Sequence, residues 1–241
     1  MSVSKRVGMP ENRLLAALST SEYQRLVPHL EFVSLSLKQI LYDSGEVVRY
    51  VYFPNNQAIV SLVSTMENGS TVEVGLVGNE GMVGIPVILG GNWTTNQAIV
   101  QMAGSAMRMN ARLLKVEFER GGELQRLLLL YTQALLTLVS QTAVCNRLHT
   151  VEERLARWLL LVQERIHSDE LPLTQELISH MLGTRRAGVT VAAGTLSQAG
   201  MIRSTRGKIT IVNQEDLEAT SCECYRLIKA EFERLLSPQP S

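Results

Sequence analysis

The sequence predicts an α+β chain in three parts. An N-terminal antiparallel β-roll (jelly-roll-like) is expected over residues 12–121, one long helix over 122–149, and a C-terminal winged helix-turn-helix with a final helix over 150–236. Three patterns predict it. Between Phe32 and Met109, short β-rich runs are separated by turn residues. From Leu124 to His149, apolar residues recur at spacings of four and three. From Leu171 to Val212, an amphipathic helix, a glycine, a second helix and a small hairpin follow in that order.

Asn12 to Leu30 reads as short helices, with Ser19 and Glu22 at the spacing of a capping box. The candidate strands are Phe32–Leu37, Gln39–Tyr42, Val47–Phe53, Gln57–Met66, Thr71–Val77, Ile99–Met102 and Ala106–Met109, with Gly45 at a turn. Asn68-Gly69 lies between two of them, and both residues tolerate positive φ, which marks a hairpin.

In the long helix, Leu124, Leu128, Tyr131, Leu135, Leu138, Thr142, Cys145 and His149 form a heptad seam. Leu127, Leu130, Ala134 and Val144 make a second stripe, so the helix needs cover on two sides. The expected solution packs one stripe on the roll and the other on a second copy of the chain. Leu128, Tyr131, Leu135, Leu138, Thr142 and Cys145 are assigned to that dimer seam; a single buried helix in a monomer is the alternative.

Thr150 and Glu153 form another capping box and start a helix with Leu155, Trp158, Leu159, Val162 and Ile166 inward. Gln214 to Leu236 reads as one helix. The tail 237–241 holds two prolines and is expected to be loose.

The segment Leu171–Val212 carries the chemistry. Thr174 is placed to cap a helix whose apolar face is Leu177, Ile178, Met181 and Leu182. Gly183 ends it by a left-handed turn. A second helix opens at Thr184-Arg185-Arg186, with Val189, Ala192 and Leu196 inward. Arg185, Arg186 and Thr190 then point outward near its front, the end that meets base edges in a docked recognition helix. Thr184 and the hairpin residues Arg203, Arg206 and Lys208 are placed for phosphate contacts. The segment holds five Lys/Arg against one Glu, in a chain of net charge +0. That local excess is what a nucleic-acid face requires. Gly188 and Gly194 are unusual inside a helix, and allow close approach of DNA or of a neighbouring helix.

No leader-like apolar stretch opens the chain, and no segment is expected to approach membrane-spanning length. Three cysteines without framework spacing suit a reducing cytosol, and a cytoplasmic location is expected. No cysteine precedes Cys145, which leaves an N-terminal iron–sulfur cluster without ligands. His29 is the lone histidine of the N-terminal half, too little for haem. Cys222 and Cys224, read as i and i+2 on one helix, face apart, so no metal site is expected there. Cys145 is read as a possible redox link across the dimer. No nucleophile elbow, phosphate loop or His-carboxylate metal motif is present, so neither an enzyme nor a cofactor is expected.

The roll, long helix and winged helix, in this order, resemble the Crp–Fnr family of bacterial transcription regulators. The resemblance is most specific at Gln175-Glu176-Leu177, Leu182-Gly183, Arg186 and the wing Ile202–Val212. It implies that Arg186 reads guanine, that the protein binds DNA as a homodimer, and that half-sites lie about 34 Å apart. It also shows departures. Ala187 stands where the family has a glutamate, and Val191 where it has a second arginine, so a different operator is implied.

The sensor departs further. Gly81-Met82-Val83-Gly84-Ile85-Pro86 places Ile85 where cyclic-nucleotide-binding relatives carry a glutamate, and Asn96 and Gln97 fall where they carry Arg-Ser. Val139-Ser140 replaces their Thr-Ser pair. No Lys or Arg lies between Arg49 and Arg108, and burying a phosphate without a cation is costly. The degenerate effector pocket is therefore assigned to Gly84, Ile85, Asn96, Gln97 and Ser140, with no tight binding of cyclic AMP or cyclic GMP. The expected partners are double-stranded DNA, a second copy of the chain and RNA polymerase, with an unidentified effector and no membrane. A ligand-binding or protein-interaction module whose winged helix does not bind DNA is the alternative.

Overall fold

A computed structural model describes residues 10–236; the extreme N-terminus and the tail 237–241, expected to be loose, lie outside the described residues. Asn12 caps α1 (Arg13–Ala16), its side-chain oxygen accepting from the N–H groups of Leu14 and Leu15. Its amide donates to the carbonyls of Pro54 and Gly81, 2.9 Å each, which ties the start of the chain to the roll. After α2 (Thr20–Leu26), seven strands build the roll: β1 (Leu30–Leu35), β2 (Ile40–Tyr42), β3 (Tyr50–Pro54), β4 (Ile59–Thr65), β5 (Thr71–Val77), β6 (Gln97–Met102) and β7 (Gly104–Asn110). They form two antiparallel sheets, β1-β7-β3 and β2-β6-β4-β5. Their inner faces meet in an aliphatic core that includes Val51, Phe53, Ile59, Val60, Leu76, Val77, Met82 and Val100.

The β4–β5 hairpin forms where expected, but its turn differs. Only Gly69 takes a positive φ, 80°, while the Asn68 side chain accepts the N–H of Ser70.

After α3 (Ala111–Glu119) comes α4 (Glu123–Leu148), a single helix of 26 residues. The capping box expected at Ser19 and Glu22 is only half formed. Glu22 instead accepts the N–H groups of Glu123 and Leu124, and Glu123 accepts the N–H of Ser19. The carboxylate that would close α2 thus caps α4, where Gly122 offers no side chain.

The dimer-seam assignment is overturned. Leu128, Tyr131, Leu135, Leu138 and Cys145 are buried and Thr142 is half-buried within the chain itself. Two elements cover them: the roll, through β5, and α9 (Cys224–Leu236), which packs along α4. Phe232 of α9 meets Tyr131 edge-on at 6.4 Å between ring centroids. The heptad pattern marked a face to be buried; it did not say that this chain supplies its own cover. The face left outside carries Leu129, Leu136, Val144 and Leu148.

The membrane expectation is also revised. By length and composition α4 is apolar enough to cross a bilayer, at a mean hydropathy of 1.5. Part of that apolar surface is covered by the roll and α9.

The helix expected over Gln214–Leu236 is two helices, α8 (Gln214–Thr220) and α9, parted at Ser221–Glu223. Cys222 therefore sits in the break, and the argument that it faces away from Cys224 no longer holds. Both thiols are buried beside Cys145, which removes the latter from any link to a second copy.

Candidate nucleic-acid interface

The C-terminal part begins with α5 (Val151–Ile166), whose Thr150–Glu153 capping box is complete. Leu155, Trp158, Leu159 and Val162 are buried, as the pattern required. α5 is also the platform that joins this part to the roll. Arg165 Nε donates to Glu80 Oε1 at 2.8 Å, both side chains being 6% exposed. Trp158 Nε1 donates to Glu73 Oε1 at 2.9 Å, and Ser61 Oγ donates to Glu73 Oε2 at 2.5 Å. Burial pushes the Glu73 carboxyl up to about 7, against the opposing effect of these bonds.

Next come β8 (Glu170–Leu171), α6 (Gln175–Met181), α7 (Arg186–Gln198), β9 (Ile202–Thr205) and β10 (Lys208–Ile211). Thr174 Oγ1 accepts the N–H of Leu177 at 3.1 Å, the expected cap. Ile178, Met181 and Leu182 are buried, α6 packing on α7 and on β5, and Gly183 has φ 57°. A Cβ at Gly183 would lie 2.8 Å from Val72 Cγ2, so this turn also abuts the β4–β5 hairpin. α7 buries Val189, Ala192, Ala193 and Leu196.

Arg185 is the N-cap residue of α7 rather than part of it, and Thr184 precedes the cap. Arg185 and Arg186 are exposed at its front, and neither makes an ion pair among the described residues. Arg185 supplies no capping oxygen to the first turn of α7, where Gly188 N–H donates to the Arg185 carbonyl at 2.9 Å. Thr190 is exposed, with its Oγ1 2.8 Å from Gln175 Oε1 and 3.0 Å from the Arg186 carbonyl. Its proton is committed within the protein; its lone pairs remain available to a base. A Cβ at Gly194 would meet nothing within 4 Å, and one at Gly188 only Thr184 Oγ1 at 3.4 Å. Neither glycine is thus required by a neighbouring helix of this chain.

The wing has three strands in the order β8-β10-β9, and the two-residue β8 was not foreseen. Arg203 and Arg206 are exposed on β9 and at the tip. Lys208 Nζ is 2.6 Å from Glu170 Oε1, a surface pair. A cleft between the start of α6 and the wing is lined by Gln175, Arg186, Arg206 and Gly207. Arg186 and Arg206 thus face one cleft, while Thr184 and Arg185 line another, beside the β4–β5 hairpin.

The effector-pocket candidates are not gathered in the same way. Ile85 is buried in the core after Gly84, which has φ 111°. Asn96 is half-buried; Gln97 donates to Asp43 Oδ1 at 3.0 Å; Ser140 is exposed on α4. The principal clefts among the described residues are lined by other side chains.

Residues 153–220 match the family described as the Crp-like helix-turn-helix domain. No curated protein matches the chain. Solved structures do. FixK2 from Bradyrhizobium japonicum aligns at TM-score 0.69 and 19% identity, over 80% of this chain and 98% of its own. A Crp/Fnr-family transcriptional regulator from Thermus thermophilus aligns at 0.61 and 21%, over 79% and 98%. The c-di-GMP-responsive global regulator CLP of Xanthomonas campestris aligns at 0.64 and 12%, over 80% and 99%.

Proposed function

We propose that this chain, a Crp-like helix-turn-helix on a Crp/Fnr fold, is a DNA-binding transcription regulator of the Crp–Fnr type that acts as a homodimer on a specific operator without cyclic AMP as its signal. One observation carries the reading: Arg185 and Arg186 stand exposed at the front of α7 while its opposite face is locked into the core. In this reading Arg185, Arg186 and Thr190 meet base edges. Thr184, Arg203, Arg206 and Lys208 hold phosphates. Lys208 exchanges Glu170 for a phosphate at little cost, because an exposed pair is worth only about 0–1 kcal/mol.

The outward face of α4 supports the dimer. Leu129, Leu136 and Ala143 repeat every seven residues, with Gln133 and Ser140 between them and Arg147 following. This polar-interrupted seam replaces the one first assigned. The filled interior of the roll, the burial of Ile85 and the lack of cations from 50 to 107 argue against a cyclic nucleotide. The partners proposed are duplex DNA, a second copy and RNA polymerase, in the cytoplasm, with no membrane and no catalytic step.

Binding to duplex DNA followed as a function of salt tests the reading. Lys208→Ala should weaken binding to all sequences and lower the salt slope by about 1. A protein whose affinity for duplex DNA does not respond to salt would not be using this face. Isothermal titration should detect neither cyclic AMP nor cyclic GMP at micromolar affinity; a clear isotherm for either would reverse that part.

A further inference from the structure

We propose that Cys145, His149, Cys222 and Cys224 form a tetrahedral zinc site that clasps the end of α4 to the start of α9. Their ligand atoms all lie within 4.8 Å of one another. Cys145 Sγ is 3.4 Å from Cys222 Sγ, and Cys224 Sγ is 3.7 Å from His149 Nδ1. A single zinc ion with bonds of about 2.3 Å to sulfur sets its sulfurs about 3.8 Å apart, so small side-chain adjustments suffice. A cluster of several irons would hold its thiolates farther apart than this grouping does. Three cysteines and one histidine are a known donor set for structural zinc.

Two further observations point to a metal. The first is the orientation of His149. Its Nδ1 faces the thiols while Nε2 lies 3.2 Å from Glu223 Oε2. A carboxylate on the far nitrogen fixes the tautomer and ring of a zinc-bound histidine. The second is charge. Arg154 and Arg157 are buried beside the thiols, each with an Nε that has no hydrogen-bond partner. Arg154 donates to the Leu182 carbonyl and Arg157 to Thr142 Oγ1, and neither meets a carboxylate among the described residues. Buried guanidinium groups need an anion nearby. Three thiolates around one zinc ion carry a net negative charge and supply it.

The ligands come from the last turns of α4, from the α8–α9 break and from the first residue of α9. The site would therefore brace the joint between the long helix and α5. The metal assignment stands independently of how the protein meets DNA.

The chain has only three cysteines, all in this cluster, so thiol chemistry reports on the site alone. The full-length protein, purified under reducing conditions from zinc-replete cells, should hold about one zinc per chain by elemental mass spectrometry. Cobalt exchanged into it should show the visible bands of a tetrahedral thiolate site, and these should be lost in Cys224→Ser. Glu223→Gln lies outside the ligand set and should keep the bands while weakening zinc about 10–100-fold. Folded protein with under about 0.1 metal per chain and no cobalt spectrum would overturn the proposal. So would stoichiometric iron, or a Cys145–Cys222 disulfide in place of metal.

Discussion

In the proposed reading, Arg186 is the side chain on which base recognition rests. A bidentate arginine–guanine contact discriminates by about 1–3 kcal/mol. Arg186→Ala should therefore weaken binding to the specific site about tenfold or more, with a smaller loss on random duplex. Equal losses on both, measured by fluorescence anisotropy at one salt concentration, would assign Arg186 to phosphate instead. Glu73 is a residue of another kind. Its carboxyl is raised to about 7 by burial, above the range of an unfolded chain near 4.3. The fold thus favours the protonated form. Its contribution is complete below about pH 4 and is lost as pH rises through about 7, on the order of 3 kcal/mol in all. Glu73→Gln should flatten the fall in thermal midpoint between pH 5 and pH 8 and raise the midpoint at pH 8. An unchanged pH profile would mean that Glu73 ionises freely in the native protein.

At the scale of elements, local signals proved readable and long-range ones did not. Thr174, Gly183 and the Thr150–Glu153 box each act within one turn of chain, and each does what its chemistry dictates. β5 falls on the residues expected for it. The failures involve partners distant in sequence. Glu22 caps a helix that begins at Glu123, a choice that no spacing rule around Ser19 encodes. α9 returns to cover α4, so the seam residues face their own chain. The break at Ser221–Glu223 carries no proline or glycine, which is why Cys222 was read as helical. In the candidate interface, the exposure of Arg186 was legible because it follows helical phase. The pairing of Lys208 with Glu170 depends on β8, too short to leave a pattern. Two substitutions test the elements. Gly194→Ala should stabilise by about 1 kcal/mol, because its Cβ meets open space; destabilisation on thermal melting would contradict that. Glu80→Ala should cost about 3–5 kcal/mol, since it strands Arg165 in a buried site. A loss below about 1 kcal/mol would show water reaching that pair.

At the scale of the molecule, α5 couples the roll to the C-terminal helix-turn-helix through Glu80–Arg165 and Glu73–Trp158, and the β4–β5 hairpin abuts the turn before α7. The placement of α7 is thus fixed relative to α4, and in the proposed dimer pairing along the outer face of α4 would fix two copies of α7 relative to each other. Leu136, 61% exposed on that face, is the residue to change. Leu136→Arg should give a folded monomer by light scattering and a loss of operator affinity; a persistent dimer would move the interface elsewhere. The most direct test of the whole account is selection of duplexes from a random pool by the purified protein. The account predicts recovery of a two-fold symmetric sequence whose half-sites lie about 34 Å apart, bound by two chains. Recovery of no enriched sequence, or of an asymmetric one bound by a single chain, would contradict it.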